Sequence, residues 1–334
     1  MFQNIKISKF LPLSLTALML WSCGNLSTKP NVSGTANEVL VVIDDSIAKG
    51  AVGDSLFSVL NQDMPCMPQS EPYFNISKTP HRGFTDLLKP ARNIIIVNVG
   101  DAYSHVKLSD DNDKWAQPQS VMTIQGPDEQ SVANAVSKYA NDILNYFIKA
   151  ERKRATAYQR HYPEGAAMDS VKKKFGFSMV IPKGFNRFKS DENFLWMSNS
   201  NNDTRQNIVI YTYPYDCSQT FTREMILHKR DSVMMLNIPG PSEDSYMGTE
   251  YKYEPPIFCN TALENGEYAA EVRGLWTVIG DIMGGPFVSI STLDSENQRV
   301  ITAECFIYAP NKYKRNVLRQ LESTLYTIEL NKTK

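Results

Sequence analysis

Asn93-Ile-Ile-Ile-Val-Asn-Val99 is an almost unbroken run of β-branched residues, and Glu38-Val-Leu-Val-Val-Ile43 is a second run of the same kind. Runs without polar alternation are typical of strands buried on both faces of a parallel sheet. A third strand is predicted at residues 120–124. After it, Gly126-Pro127-Asp128 opens a helix whose apolar residues recur at spacings of three and four as far as Phe147. The first half of the chain therefore predicts a small α/β sheet with one long helix.

The second half of the chain has a different pattern, which begins after His161-Tyr-Pro-Glu-Gly-Ala-Ala167. Short apolar runs joined by turn residues predict an antiparallel sheet, and amphipathic stretches predict helices at 220–236 and 311–326. The predicted strands span residues 175–182, 193–198, 207–213, 268–276, 287–293 and 299–308. We predict an α+β fold class with two domains, an N-terminal α/β domain at 38–162 and a C-terminal antiparallel sheet packed with helices at 170–330.

The beginning of the chain has the composition of an export signal. Lys6 and Lys9 precede the apolar run Phe10–Leu20, which is too short to span a bilayer. The run leads through Trp and Ser to Cys23, the pattern in which a bacterial lipoprotein signal is cleaved before an acylated cysteine. We therefore predict a signal peptide at 1–22 and lipidation, including palmitate, at Cys23.

The segment after the predicted acylation site has no apolar periodicity. Residues 23–37 are rich in Gly, Asn, Ser and Thr, which predicts a flexible tether. Gly24, rather than an aspartate, follows the cysteine, and this favours sorting to the outer membrane. No acidic cluster of the kind that marks some surface lipoproteins follows it. The predicted location is the bacterial cell envelope, lipid-anchored at the outer membrane and facing the periplasm.

The charge balance argues against one broad class of partner. The formal net charge is −1, and loss of Lys6 and Lys9 with a signal peptide would make it −3. Nucleic-acid binding needs a basic surface that displaces counterions, so no nucleic-acid partner is expected. No later stretch approaches about 18 consecutive apolar residues. The lipid is therefore the predicted contact with the membrane.

Four cysteines follow the predicted anchor, namely Cys66, Cys217, Cys259 and Cys305. An oxidising compartment would allow them to form a disulfide, with Cys217–Cys259 as the leading candidate pair, but buried free thiols are the favoured expectation. Their spacing includes no Cys-x-x-Cys, and the histidines are far apart in sequence. Neither a structural zinc site nor a cofactor is therefore predicted.

The best candidate for a binding site is the segment Arg273–Phe287, which has glycines on both sides of Asp281. Glycine lets the backbone adopt positive φ and approach a ligand or another chain closely. An arginine and a tryptophan nearby could supply a charged clamp and a stacking face. The favoured interpretation is a plain hairpin with a Gly-Gly-Pro turn and a salt-bridged arginine, and a binding surface or an enzymatic loop is the alternative. The candidate residues for ligand or partner binding are Arg273, Trp276, Asp281, Gly284, Gly285 and Phe287.

Three aspartates form a second and weaker candidate. Asp44 and Asp45 end the first predicted strand, and Asp101 follows the second. If these strands are adjacent and parallel, their carboxylates meet at one edge of the sheet, where oxygen ligands would suit Mg²⁺ or Ca²⁺. Aspartate is also common in turns and caps after strands, and this interpretation is favoured. No metal is therefore predicted.

Several short stretches of the second half form a recognisable set. They are Asp191-Glu-Asn-Phe-Leu-Trp196, Ser245-Tyr-Met247, Arg273-Gly-Leu-Trp276, Met283-Gly-Gly-Pro-Phe287, Glu304 to Pro310 and Lys314-Arg315. With the lipidation motif, they resemble an uncharacterised family of Bacteroidota-type lipoproteins, a domain-of-unknown-function family. The resemblance implies the predicted cellular location, and it implies no biochemical activity, because none is assigned to the family. Separately, Phe177-Ser-Met-Val-Ile-Pro-Lys-Gly184 resembles the opening of small PsbP-like sandwiches, which is an analogy of fold alone.

The motifs that the sequence lacks shape the functional hypotheses. There is no P-loop, no serine-hydrolase elbow and no zinc-hydrolase spacing. The leading hypothesis is a non-catalytic envelope lipoprotein that binds a protein partner at the membrane. The alternatives are a binding module for a small molecule or glycan, built on the Arg273–Phe287 segment, and an enzyme of unknown type.

Overall fold

The structure is a computed structural model that describes residues 29–331. The predicted signal peptide, the lipidation site Cys23 and the first part of the predicted tether lie outside the described residues. Within residues 29–331, no helix combines the length and the apolar character needed to cross a membrane.

The described residues form a mixed α+β fold, which confirms the predicted fold class. The strands are β1 (Glu38–Val42), β2 (Asn75–Thr79), β3 (Asn93–Val99), β4 (Lys107–Asn112), β5 (Ser120–Gly126), β6 (Phe177–Ser178), β7 (Phe185–Asp191), β8 (Phe194–Asn199), β9 (Arg205–Pro214), β10 (Tyr246–Glu250), β11 (Ile257–Ala262), β12 (Tyr268–Ile279), β13 (Gly284–Asp294), β14 (Arg299–Tyr308) and β15 (Glu329–Leu330). The helices are α1 (Asp45–Ala48), α2 (Ala51–Leu60), α3 (Glu129–Lys138), α4 (Ala140–His161), α5 (Gly165–Phe175), α6 (Arg223–Asn237) and α7 (Arg315–Leu325).

The sheet of the first half has the strand order β2-β1-β3-β5-β4. Its first four strands are parallel, and β4 adds an antiparallel edge. One face, with Val41 and Ile95 near its centre, packs against α2, α3 and α4. The other face packs against Phe84 and Trp115, which lie in loops. The prediction that β1 and β3 are buried on both faces is confirmed.

One long helix is present as predicted, but it is α4 alone, and a separate helix, α3, occupies the first part of the predicted span. Asp128 caps α3 by accepting a hydrogen bond from the backbone N–H of Ser131 at 2.8 Å. The backbone leaves helical geometry at Tyr139 (φ −103°, ψ 22°), where α3 gives way to α4. Tyr139 is 39% exposed rather than part of the apolar face. The apolar spacing continues across a one-residue interruption, so the sequence pattern alone did not indicate the break.

The larger sheet occupies the second half and is antiparallel. Its order is β7-β8-β9-β14-β13-β12, and the outer edge of β12 pairs with β11 along one part and with β10 along the other. Helices α5 and α7 pack on one face and α6 packs on the other. The strand predicted at 175–182 is reduced to two residues, β6, which pairs with β15 outside this sheet. Gly176 adopts the left-handed conformation (φ 74°) there to end α5.

A loop of the first half, residues 61–74, packs into the second half and is called the inserted loop below. Its Met64 and Met67 belong to the hydrophobic core between α5, α7 and the larger sheet. The carboxylate of Glu71 accepts hydrogen bonds from the backbone N–H groups of Lys314 and Arg315 at 2.8 Å each, at the N-terminus of α7. An anionic side chain at that end complements the helix dipole. The inserted loop therefore joins the two halves through both apolar and polar contacts.

The glycine pair that was predicted to form a turn lies in a strand. Gly284 and Gly285 begin β13, and the turn before them is formed by residues 280–283. A Cβ atom on Gly285 would lie 2.2 Å from the carbonyl oxygen of Ile307 and 2.9 Å from the indole nitrogen of Trp276. Close backbone approach between β13 and β14 therefore explains the glycine at this position.

Replacing Gly285 with alanine is expected to destabilise the protein by about 1–3 kcal/mol, because the backbone of β14 must move to admit the methyl group. Urea unfolding followed by circular dichroism measures this change. Gly165→Ala is the matched control, since no atom lies within 4 Å of its added Cβ and it begins α5. A loss of stability in the control that equals the loss at Gly285 would contradict the close-approach explanation.

Candidate functional site

The two halves of the described chain enclose a cavity of about 600 Å³, called the central cavity below. Helix α4 and the inserted loop form its wall on one side, and β11, β12 and α7 form the other. Its apolar lining includes Met64, Pro65, Ile148 and Ile257. Its volume lies within the range of small-molecule sites, which is roughly 300–1,000 Å³.

Arg273 projects from β12 into this cavity and forms ion pairs with two carboxylates. Its Nη2 atom donates to Glu322 at 2.7 Å and to Glu271 at 3.3 Å. Burial opposes the charge on Arg273, but the two carboxylates outweigh it and raise its pKa well above the usual value. Glu271 also accepts a hydrogen bond from the hydroxyl of Tyr326. The Nη1 atom of Arg273 is buried and has no hydrogen-bond partner.

Arg319, on α7, is buried without a carboxylate partner. Its side chain is 7% exposed, and its hydrogen bond within the described chain runs from Nη1 to the carbonyl oxygen of Tyr73 at 3.1 Å. Its guanidinium carbon lies 5.3 Å from the centre of the Phe74 ring. Burial lowers the pKa of Arg319 to about 10. The energetic cost of burying this charge is therefore not offset by an ion pair.

Arg152, on α4, supplies a third guanidinium to the central cavity. Its guanidinium carbon lies 3.4 Å from the centre of the Tyr326 ring, a cation–π contact that fixes the plane of the group. Its Nε atom is buried and has no hydrogen-bond partner. Lys149 lies one turn earlier on α4, at the exposed rim of the cavity. Positive charge thus exceeds negative charge around this space.

A smaller cavity of about 300 Å³ adjoins the central one and shares Arg152, Arg319 and Glu322 with it. Glu151 on its wall accepts hydrogen bonds from Arg92 Nε at 2.9 Å and from Arg154 Nη1 at 2.8 Å. This carboxylate is already paired with two arginines. It forms no ion pair with Arg152 or Arg319, although its charge partly stabilises that of Arg319.

The structure brings only one of the predicted binding residues to the central cavity. Arg273 faces α7, whereas Trp276 lies on the opposite face of the sheet, 3% exposed, and its indole N–H donates to the carbonyl oxygen of Ile307 at 3.2 Å. Phe287 is buried on that same face. Asp281 lies in the exposed turn and accepts a hydrogen bond from Ser242 at 2.9 Å. The expected pairing of an arginine clamp with a tryptophan stacking face is therefore wrong.

The aspartates proposed for a metal do not form a cluster. Strands β1 and β3 are adjacent and parallel, as that hypothesis required. Asp44, however, pairs with Nδ1 of His81 at 3.2 Å, and Asp45 lies in the first turn of α1. Asp101 follows β3. In residues 29–331 there is no group of three or more His, Cys, Asp or Glu side chains that could hold a metal ion.

The four cysteines within the described residues are free thiols, as favoured, and the alternative Cys217–Cys259 disulfide is not formed. Cys66 and Cys305 are buried as expected, whereas the other two are exposed. Cys259 lines the central cavity. Burial raises the pKa of its thiol to about 11, so the thiol is protonated at neutral pH and is a poor nucleophile.

Fold and cavity together define a mixed α+β protein with a positively charged cleft between its two halves. Residues 164–327 match the family model described as Domain of unknown function (DUF4837), and residues 32–159 match that described as Domain of unknown function (DUF8532). Both matches agree with the resemblance to an uncharacterised family. Arg152 lies in the segment that matches DUF8532, and Arg273 and Arg319 lie in the segment that matches DUF4837. The central cavity is therefore built from both segments.

Comparisons with other proteins add no functional assignment. A search of curated proteins found no match. The Ran-binding protein Mog1p of Saccharomyces cerevisiae is similar at 10% identity over 47% of this chain and 92% of its own, with a TM-score of 0.32. The human StarD13 (DLC2) lipid transfer and protein localization domain is similar at 12% identity over 48% and 94%, with a TM-score of 0.20. Scores this low establish neither a common fold nor a common function.

Proposed function

We propose that this protein is a binding module that holds a small anionic molecule in the central cavity. The observation that carries the proposal is Arg319, a buried guanidinium that faces the cavity without a carboxylate partner. Buried charges are normally paired, because an unpaired one is destabilising. Local features that destabilise a fold are expected at functional sites. A bound anion would supply the missing partner.

The geometry of the arginines suits this role. The guanidinium group presents its N–H donors in a planar fork that matches the oxygens of a carboxylate or a phosphate. Arg319 and Arg152 each retain unused donors, and the Nη1 atom of Arg273 is a further unused donor on the wall of the cavity. The apolar lining would accommodate the uncharged part of the ligand.

The test is a thermal-shift and calorimetric screen of the native protein against organic carboxylates, phosphate esters and sulfate esters. At least one anion is expected to bind to the wild type and to bind at least roughly tenfold more weakly to Arg319→Met, since a charge-assisted hydrogen bond contributes about 1.5–3 kcal/mol. Arg187→Met, which removes an exposed arginine of β7, is the matched control and should bind like the wild type. Equal binding by all three proteins, or no binding to the wild type, would overturn the proposal.

A second candidate function is the binding of a protein partner in the bacterial envelope, at the lipid-anchored location that the N-terminal sequence predicts. The groove between α6 and β10, about 740 Å³ in volume, supports it. Met235, Tyr251 and Ile279 line this groove and are roughly half exposed. Exposed apolar side chains of this kind are common at interaction surfaces.

Crosslinking in the native envelope followed by affinity capture tests this second function. A dominant crosslinked partner should be lost with Met235→Lys, in the groove, and retained with Leu87→Lys, a similar change at an exposed apolar residue of the first half. A Cys23→Ala variant, which cannot be acylated at that position, shows whether capture depends on the anchor. If Met235→Lys and Leu87→Lys capture the same partner equally, the groove is not the interface.

A further inference from the structure

The charges around the central cavity restrict what it can bind. Arg273 is paired with two carboxylates, Glu271 and Glu322, whose charges together exceed its own by one. Arg152 and Arg319 form no ion pair in the described chain, and with Lys149 at the rim the lining carries four positive charges against two negative ones, a balance of +2. A monoanion would offset only one of these two charges.

The shape and lining of the cavity restrict the ligand further. A space of about 600 Å³ with Met64, Pro65 and Ile257 on its wall is much larger than a bare inorganic ion requires. Contact between the apolar wall and apolar ligand atoms removes both surfaces from water. This contributes about 25 cal/mol of binding free energy per Å² of apolar surface buried. The uncharged part of the ligand therefore contributes to binding as well as its charge.

We infer that the ligand is an organic dianion, a molecule that carries one phosphate monoester or two carboxylates on an apolar body. This inference rests on the proposed function and names the chemical class that the same site takes. The two guanidinium groups come from different halves, Arg152 from α4 and Arg319 from α7. The dianion would bridge them, and its organic body would lie against the apolar wall formed by the inserted loop and β11.

Two matched pairs of small probes separate charge from shape. Phenyl phosphate and phenyl sulfate have similar shapes, but at pH 8 the first is a dianion, because its second pKa is about 6, and the second is a monoanion. Isophthalate and benzoate form the corresponding pair of dicarboxylate and monocarboxylate. Calorimetry on the native protein measures all four, with inorganic phosphate as the probe that lacks an organic body.

The dianion of at least one pair is expected to bind roughly tenfold or more tightly than its monoanion, and more tightly than inorganic phosphate. A preference in the first pair identifies a phosphate ester, and one in the second identifies a dicarboxylate. Arg152→Met should remove this preference while leaving the monoanion bound, because one guanidinium then remains. The inference is overturned if the dianion and the monoanion bind equally in both pairs, or if inorganic phosphate binds as tightly as the organic dianions. The proposed function still holds in that case, provided that binding depends on Arg319. If no anion binds in a way that depends on Arg319, the proposed function itself is refuted.

Discussion

Replacing Arg230 with methionine is expected to lower the free energy of unfolding by about 3–5 kcal/mol, the usual cost of breaking a buried ion pair. Arg230 projects from α6 and is fully buried. Its Nε and Nη2 atoms donate to the two oxygens of Glu304 at 2.8 and 2.7 Å, and its guanidinium carbon lies 3.7 Å from the centre of the Phe287 ring. The substitution leaves Glu304, which is 0% exposed, without a partner for its charge.

Urea unfolding of the single variant and of the double variant Arg230→Met/Glu304→Met measures this effect. The double variant should recover much of the lost stability, because replacing both members of a buried pair by apolar groups is often neutral. Lys89→Met, which breaks the exposed pair with Asp86, is the control and should change stability little. A single variant that unfolds at the same urea concentration as the wild type would show that the pair is dispensable.

Replacing Arg319 with methionine is expected to have the opposite sign, raising the stability of the ligand-free protein by roughly 1–2 kcal/mol. The pKa of Arg319, lowered to about 10 from the usual value of a free guanidinium, reflects the cost of burying its charge. Loss of the hydrogen bond to Tyr73 offsets part of this gain. If removing a side chain stabilises the folded protein, the fold itself does not require that side chain.

Urea unfolding in buffer without organic anions measures the change. Arg319→Lys retains a positive charge in the same place and should show no comparable gain in stability. A loss of stability of 1 kcal/mol or more in Arg319→Met would assign Arg319 a structural role and weaken the anion-binding proposal. The wild type, by contrast, should gain stability from any ligand that binds its folded state, by mass action.

The strands that the sequence predicted are those with an apolar majority. The β-branched runs at β1, β3 and β5 and the long strands β12 and β14 are buried, so hydrophobicity indicates them. Strands β2, β4 and β7 were missed, and each is a polar, largely exposed strand at the edge of a sheet. The short strands β10, β11 and β15 were missed as well. Edge strands are commonly polar, which limits aggregation, so they give little hydrophobic signal.

The candidate site was only partly predictable, for a different reason. Arg273 was selected from its local motif, but its role depends on α4 and α7, which are distant in sequence. Arg319 did give a signal, because it lies between Leu318 and Leu321 in the apolar stretch of α7. A charged residue in such a stretch predicts either a buried ion pair or a site. Only the packing of the helices separates these two alternatives.

The inserted loop bears on how the two halves could be inherited or engineered. Met64 and Met67 fill the core of the second half, and Glu71 caps its last helix. A cut near residue 162 would leave that core open on one side and the N-terminus of α7 uncapped. The same loop lines the central cavity through Met64, Pro65 and Tyr73. Transplanting either half alone into another protein would therefore carry over an incomplete core and half of a binding pocket.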